Sequence, residues 1–185
     1  MRRTIATTTQ QASRQIRDLL QSVLISELIA PSSRIWLVSA WIVDAPVVDN
    51  RAADLSSLVP EWPEREILLS EVLAQLLLAG SRLTVATNDH SANQAFPHAL
   101  RQAALMLDAD RELRINLADE VAFQQEHGLH RKRLVTERAV LWGSMNFTLS
   151  GYERNAEDVS LDLDPRIVAT AVNEMEQLYP TVAQR

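Results

Sequence analysis

Cysteine is absent from all 185 residues, which excludes disulfides and thiolate metal sites and fits a cytoplasmic chain. Long apolar runs are missing too. None approaches the roughly 20 residues that a membrane-spanning helix needs. The opening Met1-Arg2-Arg3-Thr4-Ile5 has two arginines but no apolar stretch behind them, which is not the pattern of a secretory signal. An excess of positive charge is lacking: the formal net charge is −6, so a phosphate ligand would have to be drawn by a local patch. Lysine is nearly absent. Of 18 basic residues, 17 are arginine and one is Lys132. Glycine is scarce as well, and three of the four, Gly128, Gly143 and Gly151, fall close to that lysine.

The length suits one domain over residues 1–185, with a composition ordinary for a globular protein. Residues 9–29 repeat apolar side chains with a helical period, ended by Pro31. Arg34 to Val43 is short, apolar and β-branched, which predicts a buried strand. Asp44 to Pro63 is polar and proline-interrupted and predicts a long loop. Pro63 is placed to open a helix running to Ala79, with Gly80 as its stop. Strands are predicted at Arg82–Thr87, Glu112–Leu117, Leu129–Val135, Ala139–Trp142 and Val159–Leu163, with a helix at Pro97–Ala109. Asp164-Pro165 then caps a last helix that carries Val168, Ala171 and Met175 on one side. Strands alternating with helices predict an α/β sandwich around a mixed sheet.

The chemistry concentrates in one segment. His130-Arg131-Lys132 is followed after four residues by Glu137, and after five more by Gly143-Ser144-Met145-Asn146, with Asn155 and Glu157 downstream. His130 and Lys132 are two apart on a predicted strand, so an imidazole and an ammonium leave the same face. Gly143 follows a strand directly, where glycine lets the backbone turn and approach a ligand. The Ser144 hydroxyl and the Asn146 amide add neutral donors. Such a set suits a phosphodiester: histidine attacks phosphorus or protonates the leaving oxygen, while Lys132, Ser144 and Asn146 hold the non-bridging oxygens. A carboxylate must orient the imidazole, and Glu157 is the leading candidate.

This segment resembles the phospholipase D superfamily, whose signature is H-x-K-x4-D followed by G-S-x-N. His130, Lys132, Gly143, Ser144 and Asn146 match it, and Asn155-x-Glu157 resembles its downstream part; the departure is Glu137 where the family has Asp. The resemblance is specific over residues 129–163 and implies a phospholipase D-like α/β/α sandwich. Most members carry two motif copies and this chain has one, which is similar to small bacterial nucleases that pair two subunits to complete one site. The resemblance therefore implies a homodimer, a phosphohistidine at His130 and DNA as substrate. The whole chain also resembles the phospholipase D-like component of 7-deazaguanine DNA-modification and restriction clusters, which implies a defence setting and other defence proteins as partners.

Around the motif, Arg131 and Arg133 are candidates for substrate phosphates, and with Arg138 they read equally well as a solvated face. His90, His98 and His127 have no companion at ligand spacing, so no metal and no cofactor are expected. Trp36, Trp41 and Trp142 are expected in the core. Trp62 is expected either to pack locally or to stack on a base. A phospholipase or phosphatidyl transferase is the alternative enzyme, against which stands the absence of a basic amphipathic face. A nucleic-acid-binding domain without catalysis is the alternative from another class, which the filled motif positions disfavour.

Overall fold

The computed structural model describes residues 1–6, 10–111, 121–153 and 157–180. Its centre is a seven-stranded sheet in the order β1-β9-β8-β7-β2-β5-β6. The strands are β1 (Arg2–Ala6), β2 (Arg34–Ser39), β5 (Arg82–Thr87), β6 (Val121–Gln125), β7 (Lys132–Val135), β8 (Val140–Gly143) and β9 (Asp158–Asp162). β2, β5 and β6 run parallel, whereas β7, β8, β9 and β1 continue the sheet antiparallel, so the sheet is mixed as expected.

Alternation along β2 builds the two faces. Ile35 and Leu37 join one core with α1 (Gln10–Ile29), α2 (Leu69–Leu78) and α3 (Ala95–Arg111). Trp36 and Val38 join a second core against α5 (Pro165–Leu178), through Val168, Ala171 and Met175. Trp36 is fully buried, and its indole nitrogen donates to the Tyr179 carbonyl at 2.9 Å. As the sequence predicts, Asp164 caps α5 by accepting from Arg166 N, and Gly80 ends α2 with a φ of 92°.

Several expectations need correction. β2 stops at Ser39 rather than Val43, because the chain turns there to lie beside the Gly143–Phe147 loop. Trp41 N donates to Asn146 Oδ1, and Val43 N to the Phe147 carbonyl. The expected loop over 44–63 contains β3 (Pro46–Asp49), which pairs with β4 (Glu66–Leu68). Its apolar Val47 and Val48 are fully buried, and this outweighs the turn signals around them. α2 consequently begins at Leu69, where Glu71 caps the free N–H of Leu68. The strand predicted at 112–117 falls outside the described residues. Strands β1 and β6 and the short α4 (Leu149–Glu153) were not anticipated. β1 is arginine-rich and buries only Ile5, so it carries almost no apolar signal.

Of the tryptophans expected in the core, Trp41 and Trp142 remain 38% and 37% exposed. Trp62 is 7% exposed and packs into the larger core, which decides for local packing over base stacking. Trp62→Ala should therefore lower stability by about 3–5 kcal/mol, the cost of truncating a buried tryptophan. Urea unfolding measures it. A change under 1 kcal/mol would show that the 44–63 segment does not depend on this side chain.

Candidate active site

The sheet order places the C-terminal ends of β2 and β8 beside the N-terminal ends of β7 and β9. Ser39 is paired with Lys132, and Gly143 with Val159. One end of the sheet thus collects Ser39, Lys132, Gly143, Ser144 and Glu157 from distant parts of the sequence.

His130 lies just before β7 rather than on it, since the strand begins at Lys132. The two side chains nevertheless meet. Lys132 Nζ stands 3.2 Å from His130 Nδ1 and donates to the His130 carbonyl at 2.6 Å. His130 is exposed and Lys132 is buried. Burial pushes the Lys132 ammonium below the usual lysine range, a shift that the charge of Glu157 opposes. Lys132 is therefore a cation held close to the surface in a partly desolvated setting, where its field is less screened than in water.

Ser144 Oγ donates to Glu157 and accepts from Asp158 N at 2.9 Å. Ser144 N donates in turn to the Asp158 carbonyl at 2.9 Å, so β9 fixes both ends of this residue. Two glycines make the approach possible. A Cβ on Gly143 would lie 1.9 Å from the Asp158 carbonyl oxygen, and one on Gly151 would lie 2.2 Å from the Asn146 carbonyl oxygen. Asn146 Oδ1 accepts from Ser39 Oγ and Trp41 N, both at 3.3 Å, which leaves its amide nitrogen as the donor end. Ser39 also accepts from Phe147 N at 3.2 Å. Ser39 was missed because a serine at a strand end carries no distinctive spacing.

The other candidates lie elsewhere. Arg133 is turned to the opposite sheet face and pairs with Glu174 at 2.5 Å, and Arg131 stands 3.8 Å from Glu126. Arg138 pairs with the buried Glu27 at 2.9 Å. Glu137 sits at the far end of β7, where it accepts from Ser33 N at 3.0 Å and from Ser33 Oγ at 2.6 Å. Burial would raise its carboxyl, but these bonds and Arg34 outweigh it and hold the group below its ordinary value. It works there as a clamp between the β7–β8 turn and the start of β2. Asn155 falls outside the described residues. His127 pairs with Asp89 at 3.0 Å, and His90 caps a 3-10 turn by accepting from Ala92 N. Among the described residues, no group of three or more His, Asp or Glu side chains is arranged to hold a metal, and no helix is long and apolar enough to cross a membrane.

The family model described as "Cardiolipin synthase, PLD-like domain" matches residues 52–179. The chain belongs to this phospholipase D-like family. No curated protein matches its sequence. Among solved structures, it is similar to Nuc of Salmonella typhimurium, a phospholipase D family member, at 10% identity and a TM-score of 0.58; the match covers 100% of this chain and 98% of that one. NucT of Helicobacter pylori gives 9% identity and a TM-score of 0.56 over 100% and 99% of the two chains. Phosphatidylserine synthase of Haemophilus influenzae gives 16% identity and a TM-score of 0.52, over 96% of this chain and 37% of that one. At these identities the likeness is one of fold, with Nuc and NucT matched end to end.

Desolvating a charged lysine costs stability below its lowered folded pKa. That cost fades as pH rises toward the ordinary lysine value, because the unfolded chain then binds the extra proton. Lys132→Met should accordingly unfold at an equal or higher temperature than wild type at pH 7, with the difference shrinking above pH 9, while turnover is lost. Lys132→Arg should retain the charge yet lose roughly a hundredfold in turnover, because a planar fork replaces a compact ammonium. Thermal melts and steady-state rates check both. A Met variant that melts well below wild type would mean that the ammonium stabilises the fold.

Proposed function

We propose that this protein is a metal-independent phosphodiesterase that cleaves DNA through a covalent phosphohistidine, with a restriction or phage-defence system as its setting. The observation that carries the reading is the gathering of His130, Lys132, Ser144 and Asn146 at one end of the sheet, where Lys132 Nζ lies 3.2 Å from the His130 ring. With Nδ1 facing the lysine, Nε2 is the ring nitrogen left for a phosphate. Attack by Nε2 forms a P–N bond and expels one ester oxygen, and water then breaks that bond to regenerate the imidazole. For Nε2 to attack, the ring proton must sit on Nδ1. That form is favoured by a carboxylate rather than an ammonium, so Lys132 must turn from Nδ1 to the phosphate and a carboxylate take its place there, for which Glu157, now held by Ser144, is our candidate. Lys132 and the Asn146 amide nitrogen stabilise the charge on the non-bridging oxygens, and the Ser144 hydroxyl joins them by exchanging Glu157 for the phosphate.

The expelled oxygen needs a proton, and the mechanism therefore needs a second histidine. The chain has one motif copy. A two-fold dimer brings a second His130 to the same phosphate without another gene, because an isologous interface sets the same patch of each subunit against its copy. One copy acts as nucleophile and the other as acid. Arg131 and Arg133 are assigned to more distant phosphates of the strand, reached by exchanging their present carboxylate partners.

The family description and the likeness to a phosphatidylserine synthase favour a second reading, phosphatidyl transfer, which uses the same covalent step on a lipid phosphodiester. Incubating the protein in excess EDTA with supercoiled plasmid, RNA or phosphatidylglycerol vesicles separates the two. Plasmid nicking that survives EDTA and disappears in His130→Ala is expected. Activity confined to vesicles would replace the DNA reading, and rescue of an EDTA-inactivated protein by a divalent ion would contradict both. In sedimentation, we expect a dimer at all active concentrations. Cleavage by a monomer, first order in protein at high dilution, would overturn the shared site.

A further inference from the structure

On the sheet face opposite Lys132, a cleft of 390 Å³ opens between strands β8, β9, β1 and helix α5. Its floor follows from the strand register. Arg133, Trp142, Ser160 and Thr4 form one cross-strand row, and Val135, Val140, Asp162 and Arg2 form the next. Polar side chains in the middle of a sheet face are costly unless something engages them. Ser160 and Thr4 engage each other at 2.9 Å. Asp162 does so only in part. It is 2% exposed, and its Oδ2 takes Arg2 Nε at 3.3 Å, but its Oδ1 is buried with no hydrogen-bond partner. A buried carboxylate oxygen left without a donor calls for a ligand or water to supply one.

Three further features narrow the ligand. Trp142 lines the cleft and is 37% exposed, with the Arg2 guanidinium stacked 5.0 Å from its ring centroid. α5 contributes the apolar Ile167 and Ala171 to the wall, with Thr170 and with Glu174, whose carboxylate is taken up by Arg133. Arg166 stands at the same helix and, unlike Arg2 and Arg133, has no ion-pair partner among the described residues. A flat aromatic ring against Trp142, an N–H at its edge for Asp162 Oδ1 and an anion within reach of Arg166 describe one kind of molecule. The volume suits it, since ligand pockets begin at about 300 Å³.

We infer that this cleft binds a nucleotide whose base edge presents an N–H donor, with the base on Trp142, the N–H on Asp162 and the phosphate on Arg166. The occupant is either a free nucleotide or one unit of a single strand. The inference stands apart from the phosphodiesterase reading, because none of the three residues that would hold the nucleotide, Trp142, Asp162 and Arg166, is assigned to the chemistry; only Arg133, on the cleft floor, is shared with it.

Tryptophan fluorescence of the intact protein, titrated with AMP, purine riboside monophosphate, adenosine and inorganic phosphate, tests it. His130→Ala protein titrated with a short oligodeoxyadenylate supplies the strand arm without risk of cleavage. AMP should bind more tightly than purine riboside monophosphate, which lacks the amino donor. Trp142→Leu should weaken AMP about five- to a hundredfold, as loss of one base–aromatic stack does. Arg166→Ala should weaken AMP but not adenosine; both substitutions are at exposed positions, so the fold is not at stake. Binding of the oligonucleotide without AMP would identify the strand as the source, still on Trp142 and Arg166. Inorganic phosphate competing as well as AMP, or neither nucleotide form binding, would overturn the inference. Loss of DNA cleavage in a protein that still binds AMP would count against the catalytic reading alone.

Discussion

The approach of Gly143 to the Asp158 carbonyl sets the geometry that the rest of the site depends on, since no Cβ fits between the two strands there. Because β8 and β9 close so tightly at this end, the residue after the glycine is held from both sides. Its N–H meets the Asp158 carbonyl and its hydroxyl meets Glu157 and Asp158 N. The same tight packing recurs one loop later, where Gly151 lies against the Asn146 carbonyl. A backbone locked at two points holds Ser144 and Asn146 in fixed orientations, with the Asn146 amide nitrogen left as a donor end.

Charge is managed locally in a chain that is acidic as a whole. Arg133 and Arg138 are paired with glutamates, whereas Lys132 is drawn inward until its ammonium reaches the carbonyl and ring of His130. Burial lowers the Lys132 ammonium below its ordinary range and the charge of Glu157 opposes that shift, so holding this cation inside costs the fold stability. Glu137, by contrast, serves the scaffold. It ties the β7–β8 turn to Ser33 at the end of the strand away from His130. The departure from the family signature thus lies at the end of β7 away from His130 and Lys132.

Much of the site could be read from sequence because its residues sit at fixed spacing on short, adjacent elements. The pair at 130 and 132 and the run from 143 to 146 are joined by one hairpin, β7–β8, so local spacing translates directly into spatial proximity. What escaped the sequence depends on distant pairing. Ser39 reaches Asn146 only because β2 pairs with β7. β1 exists only as a partner for β9 and buries a single residue of its own. Trp142 looked like core because it lies in an apolar run, yet register turns it toward a sheet face that α5 covers incompletely. The helical period of α5 and the cap at Asp164 were visible because both are local signals.

The chemistry assigned to His130 predicts a species that can be isolated. A phosphodiester substrate mixed with enzyme and quenched in alkali, where phosphoramidates survive, should leave a phosphoryl adduct on the peptide containing His130, at about one adduct per two subunits. An adduct on any other residue, or none during active turnover, would contradict the account.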